Sequence, residues 1–138
     1  MGDTADRAAY TAAHIDDIPF EQGGSPDTEW KPVRRFFGIG SFGTNLARAT
    51  RAGDMLTHDH DEVGTGHEEL FLIVSGSATY RVAGAEIDAP AGTFLYVSDP
   101  AVVRGAVARE AGTAMLVVGG EPGCVFTPSD WDTEPLPE

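Results

Sequence analysis

The sequence predicts a single all-β domain, a sandwich or barrel, and three observations predict it. The chain has 138 residues, the size of one domain and too short for two sizeable cores. From Lys31 onward, short apolar runs recur between Gly- and Pro-containing turns, roughly at the 8–12-residue spacing of sandwiches and barrels. No internal segment carries a convincing helical stripe of apolar residues.

Taken in order, residues 1–30 form an acidic stretch with Gly23-Gly24-Ser25-Pro26 and no sustained period. An irregular arm is expected there, with one short helix near residues 4–14. Strand-like runs follow at 33–38, 42–49, 69–75, 78–83, 85–89, 93–97, 104–108 and 113–119. The pieces between them, such as Ser75-Gly76, Ala83-Gly84 and Pro90-Ala91-Gly92, reverse the chain, because Gly supplies positive φ and Pro fixes φ. Tyr80-Arg81-Val82 and Glu86-Ile87-Asp88 alternate polar with apolar residues, as a sheet with one buried face requires. After Gly119-Gly120 the chain turns irregular, with Pro128, Trp131, Pro135 and Pro137. The expected organisation is an arm over 1–30, a barrel over 31–120 and a Pro-rich arm over 121–138, laid back on the barrel or on a partner subunit.

Composition narrows the function classes. A formal net charge of -13 repels phosphate backbones and anionic lipid, which argues against nucleic-acid and membrane partners. No stretch approaches the roughly 18 apolar residues of a membrane helix, and residues 1–10 contain no apolar leader core. A cytoplasmic protein is expected. Cys124 is the only cysteine, so no internal disulfide can form. With no base near it in sequence, it reads as inert. Gly38-Ile39-Gly40-Ser41-Phe42-Gly43 spells a dinucleotide-like glycine pattern, but no helix follows it and it reads as a turn.

Three of the four histidines, His58, His60 and His67, fall within ten residues, followed at once by Glu68 and Glu69. Two positions apart on a strand, His58 and His60 leave one face, and so do His67 and Glu69. Such N and O donors suit Fe, Mn, Ni, Cu or Zn. The alternative is a pair of solvated loop histidines beside Asp59, Asp61 and Glu62, with His67 a strand-start residue at the mouth. Glu69 should face the same way as Phe71 and Ile73. If that way is inward, its carboxylate needs a cation, a metal or a proton. Arg104, if inward, offers that cation, or clamps a ligand carboxylate through its planar fork; otherwise it is a surface arginine. The run Phe71 to Val74 reads as core, and Tyr80, Tyr96 and Trp131 read as packing.

Gly53, His58-x-His60 and Glu69-x6-Gly76, in HEELFLIVSGSATY, resemble the first motif of the cupin superfamily. AGAEIDAPAGTFLYVSDP resembles the approach to the second. The resemblance implies a double-stranded β-helix, or jelly-roll barrel, with irregular terminal arms, and a homodimer. In cupins the first motif gives a metal two His and one Glu, and the second gives one more His. Here Gly53 to His58 is one residue short, and His60 to Glu69 is several residues long. The last histidine would fall on Val103, and no histidine follows His67. The implied ligands are therefore His58, His60 and Glu69, with His67 as a further candidate. Two functions follow from the resemblance. One is a cupin that binds a small, anionic molecule at a mouth lined by His58, His60, Glu69, Arg104, Phe71 and Ile73, with Glu69 as the candidate acid or base. The other is a mononuclear metal enzyme of dioxygenase or isomerase/lyase type, holding one divalent Fe, Mn, Ni, Zn or Cu.

Overall fold

The computed structural model describes residues 8–22 and 28–136. Two antiparallel sheets face each other. One has six strands in the order β1 (Glu21–Gln22), β2 (Glu29–Lys31), β3 (Gly43–Arg48), β10 (Ala114–Gly120), β5 (Glu68–Ser75), β8 (Phe94–Val97). The other has four, in the order β4 (Met55–His60), β9 (Arg104–Ala108), β6 (Ser77–Val82), β7 (Ala85–Pro90). The jelly-roll barrel expected from the sequence is the fold observed.

Strand alternation sets the core. Asn45 and Ala47 on β3, Phe71 and Ile73 on β5, Ala106 and Ala108 on β9, and Met115 and Val117 on β10 point into the space between the sheets. Leu56, Tyr80 and Val97 close the cluster, and burying these apolar surfaces is the main favourable term in folding. Tyr80 donates its hydroxyl to the Thr93 carbonyl at 2.9 Å, and burial pushes its pKa up to about 12.

Three expectations need correction. Residues 33–38 read as a strand, but Val33–Phe37 is a helix, α1. Pro32 at its N-cap and Gly38, whose N–H returns to the Arg34 carbonyl at 2.9 Å, are the stop signals that outweigh its apolar run. The helix expected near 4–14 lies partly outside the described residues. Within 8–14 the chain is irregular, and a single 3-10 turn, Ile15–Asp17, begins where the His14 side chain accepts from the Asp16 N–H. Regular pairing also begins before Lys31, with β1 and β2 extending the larger sheet. No helix among the described residues is long and apolar enough to cross a membrane.

Candidate functional site

The site is built where β4, β5 and β9 converge. Between Thr57, paired with Ala106, and His60, paired with Arg104, two residues of β4 stand opposite Gly105 alone. A second offset lies upstream, where Leu56 is the extra residue between Met55, paired with Val107, and Thr57. These are β-bulges, in which the extra residue leaves the ladder and re-aims its neighbours. Gly105 makes room for the lower one, since a Cβ there would stand 3.1 Å from the Asp59 Cα. His58 and Asp59 consequently face solvent, Asp59 pairing with Arg81 at 3.2 Å. His60 is half-buried and turned inward.

On β5, alternation with Phe71 and Ile73 carries Glu69 into the barrel, and on β9 alternation with Ala106 does the same for Arg104. Arg104 is 0% exposed. Its Nη1 donates to Glu69 Oε1 at 2.6 Å, its Nε to the Val102 carbonyl at 2.9 Å and its Nη2 to the Asp99 carbonyl at 3.3 Å.

The connection between β4 and β5 folds back and adds a residue that spacing did not mark, Glu62. Its N–H donates to the Pro100 carbonyl at 2.8 Å, and its carboxylate accepts from Thr65 Oγ1 at 2.6 Å. This places Glu62 Oε2 3.0 Å from His60 Nε2, which in turn lies 3.9 Å from Glu69 Oε1. His67 sits at the rim, Nδ1 3.9 Å from Glu62 Oε1. The structure thus gathers His60, Glu62, Glu69 and Arg104, with His67 beside them. It leaves His58 outside, and it packs Phe71 and Ile73 into the core rather than against the cavity.

Electrostatics separates the groups. The hydrogen bond to Glu62 raises the His60 pKa against the opposing effect of burial, helped by the His58 carbonyl and the charge of Glu69. Burial works to raise Glu62, but hydrogen bonds from His60 and Thr65 and the nearby imidazoles hold it below the usual carboxylate range. Glu69 goes the other way. Burial, then the Glu62 charge, push it up against Arg104 and His60.

A cavity of about 240 Å³ opens onto Glu62, His67 and Glu69. Its inner wall is Asn45 and Val117, and its outer wall is Phe126, Trp131 and Asp132 from the chain after β10. Asn45 is 7% exposed and its Oδ1 has no hydrogen-bond partner. The lining residues outside the histidine cluster come from distant elements, and no local spacing signals them. Cys124 is exposed, and desolvation and the charge of Glu121 push its thiol up, away from the reactive thiolate.

The resemblance read from the sequence implies a metal, and the donors present test it. His60, Glu62 and Glu69 offer ligand atoms within 4.8 Å of one another. One imidazole nitrogen and two carboxylate oxygens fit a divalent ion in type and number.

No family model and no curated protein matches the sequence. Solved structures do match. A sugar phosphate isomerase of the cupin superfamily from Silicibacter pomeroyi superposes with a TM-score of 0.68 at 16% identity, over 80% of this chain and 76% of that one. KdgF from Halomonas gives 0.57 at 17% identity, over 75% and 88%. Pac13 from Streptomyces, a nucleoside dehydratase solved with uridine, gives 0.59 at 10% identity, over 82% and 83%. These likenesses in structure show that the chain has the cupin fold.

Proposed function

We propose that the protein binds a small molecule in the mouth cavity, against the Glu69–Arg104 pair and the His60–Glu62 pair. The observation that carries this reading is the fully buried Arg104, which sets a fixed guanidinium on Glu69 inside the donor group. A divalent ion on the same oxygen would stand beside that cation, and like charges disfavour each other. The resident counter-charge of Glu69 is therefore an arginine.

The ligand we favour is uncharged and bears hydroxyl groups. Every nitrogen of Arg104 already donates, to Glu69 or to one of two carbonyls, and the side chain is fully buried, while every nitrogen of Arg34 donates to Asp132 or the Ile39 carbonyl. The anionic ligand expected from Arg104 would have to displace Glu69 from it. Asn45, Thr44 and Ser129 beside Trp131 and Phe126 offer instead a few polar groups on an aromatic wall. A raised Glu69 facing a lowered Glu62 across this cavity supports proton transfer on the ligand, with Glu69 as the acid. Sugar- and nucleoside-acting neighbours of the same fold support a small-molecule role.

The second reading, one divalent ion on His60, Glu62 and Glu69, is favoured by their convergence. An ion there would supply Lewis-acid polarisation. Metal content of chelator-free protein, measured by plasma mass spectrometry beside His60→Ala and Glu62→Ala, separates the two. The pocket reading expects sub-stoichiometric metal, equal in all three proteins, and His60→Ala folded within roughly 1 kcal/mol of wild type because its side chain is partly exposed. Stoichiometric metal that both variants lose would replace it with the metal reading.

We also propose that the homodimer implied by the resemblance forms on the outer face of the larger sheet. Leu116, Leu72 and Phe94 stand in one cross-strand row, and Val118, Leu70 and Tyr96 in the next. Phe94 and Tyr96 are 61% and 58% exposed. The six side chains of these rows are uncharged on a chain of net charge -13, and Glu68, the acid bordering them, is bonded by the Tyr96 hydroxyl. A scattering mass equal to one chain would remove this assignment; twice that mass is expected.

A further inference from the structure

We propose that Phe126 gates the mouth cavity and that Asp132 is the clasp holding the gate shut. The proposal rests on reading that cavity as the ligand pocket. A second cavity, also of about 240 Å³, adjoins the first and shares Gly64, Thr65, His67, Phe126 and Ser129 with it. The Phe126 ring is thus common to both walls. It lies 5.9 Å from the His67 ring, tilted by 35°. Its other support is Gly43, where a Cβ would stand 3.3 Å from the Phe126 Cζ.

The backbone around Phe126 is free to swing. Among the described residues, residues 125–128 make no backbone hydrogen bond to the barrel, whereas the chain is fastened on both sides of them. Upstream, the Cys124 N–H closes a turn onto the Glu121 carbonyl at 3.2 Å. Downstream, Asp132 is only 3% exposed and receives Arg34 Nε at 2.6 Å, with Arg35 Nε at 3.4 Å. Arg34 Nη2 also donates to the Asp132 carbonyl, and Trp131 meets Trp30 edge-on at 6.5 Å. Both arginines sit on α1, so the helix that replaced an expected strand serves as the anchor of the clasp. A short segment without ladder bonds, pinned at its ends, opens at far lower free energy than the sheets beneath it. Turning Phe126 away from His67 joins the two cavities into one path from solvent to Glu69. Phe126 and Asp132 are positioning residues in this scheme.

His67 reports the state of the gate without any ligand. Its side chain is 16% exposed, while that of His14 is 70% exposed and His58 also faces solvent. The probe is diethylpyrocarbonate, with each histidine followed by peptide mass spectrometry in wild type, Phe126→Ala and Asp132→Ala. Amide exchange of β5 and β10 is followed in parallel. With local opening limiting access, His67 should react about tenfold more slowly than His58 in wild type and within about threefold of it in both variants, with β5 and β10 unchanged. Equal rates in wild type, or a slow His67 in either variant, would overturn the gate. Faster exchange in β5 or β10 would overturn it too, by making the residues props of the barrel. The pocket reading fails separately: if neutral sugars and uridine shift the melting temperature of neither wild type nor Phe126→Ala, the ligand assignment falls and the gate result stands.

Discussion

Replacing Arg104 with alanine should destabilise the protein by about 3–5 kcal/mol, the penalty for removing one partner of a buried ion pair. The guanidinium is fully buried and the Glu69 side chain is 13% exposed, so the pair is largely shielded from solvent. The loss should depend on pH in a defined direction. Without the guanidinium, the Glu69 pKa, already above its ordinary 4.5, rises further in the folded state. An acid whose folded pKa is raised binds more protons folded than unfolded, so stability falls as pH rises through that window. The deficit should therefore be full above the raised value and fade as pH falls towards 4.5. Converting both residues to apolar ones of similar volume should cost less than Arg104→Ala alone, since no charge is stranded. Urea denaturation of the single and double variants over pH measures all of this. A cost for Arg104→Ala below about 1 kcal/mol, typical of an exposed pair, would show that the pair is screened by solvent.

Gly76→Val should cost about as much. Gly76 joins β5 to β6 at φ +75°, a region that costs a β-branched residue about 1–3 kcal/mol. A Cβ there would also lie 2.7 Å from the Thr113 Cα and 2.4 Å from its Oγ1. Thr113 has no room to yield. It is fully buried, and its Oγ1 lies within hydrogen-bond distance of the Ser77 N–H and the Ser77 and Glu110 carbonyls. Overpacking adds about 1–3 kcal/mol more, and a total near 4 kcal/mol consumes much of an ordinary domain's stability. Gly92 supplies the control. Its φ is +95°, but nothing lies within 4 Å of its Cβ position, so Gly92→Val should cost only the strain. Equal losses in the two variants, by thermal or urea melts, would mean the contact with Thr113 does not decide the outcome.

The fold was legible where turn residues bracket the strands. Residues 104–108 and 85–89 match β9 and nearly all of β7, because Gly- and Pro-containing turns mark where each run stops. It was illegible where such marks and an apolar run are missing. β4 ends in Thr57-His58-Asp59-His60, four polar residues with no apolar run, so only the histidines marked it. α1 is five residues long, too short to display a helical stripe. In the site, Glu69 could be placed because it lies on a strand beside core residues of known parity, whereas Arg104 stayed open between the interior and the surface. Glu62 could not be placed, because a loop held to the Pro100 carbonyl aims it. Asn45 and Asp132 are 87 positions apart, and only the closed barrel and the returning chain bring both to one cavity.

The two offsets in β4 also bear on how many donors such a site presents. Each adds one residue opposite β9, and each reverses the facing of everything beyond it. Because there are two, the reversals cancel at His60, which faces inward as plain alternation would have it. The lower offset turns out His58 and Asp59, which stand opposite Gly105 alone. A motif donor thus stands outside the interior because of backbone register and not because of its residue type. The letter H survives in the motif while its imidazole serves no interior role, so a tally of motif letters counts one ligand more than the barrel presents. The number of inward donors in this barrel is therefore set by the register of β4 on β9 as well as by side-chain identity.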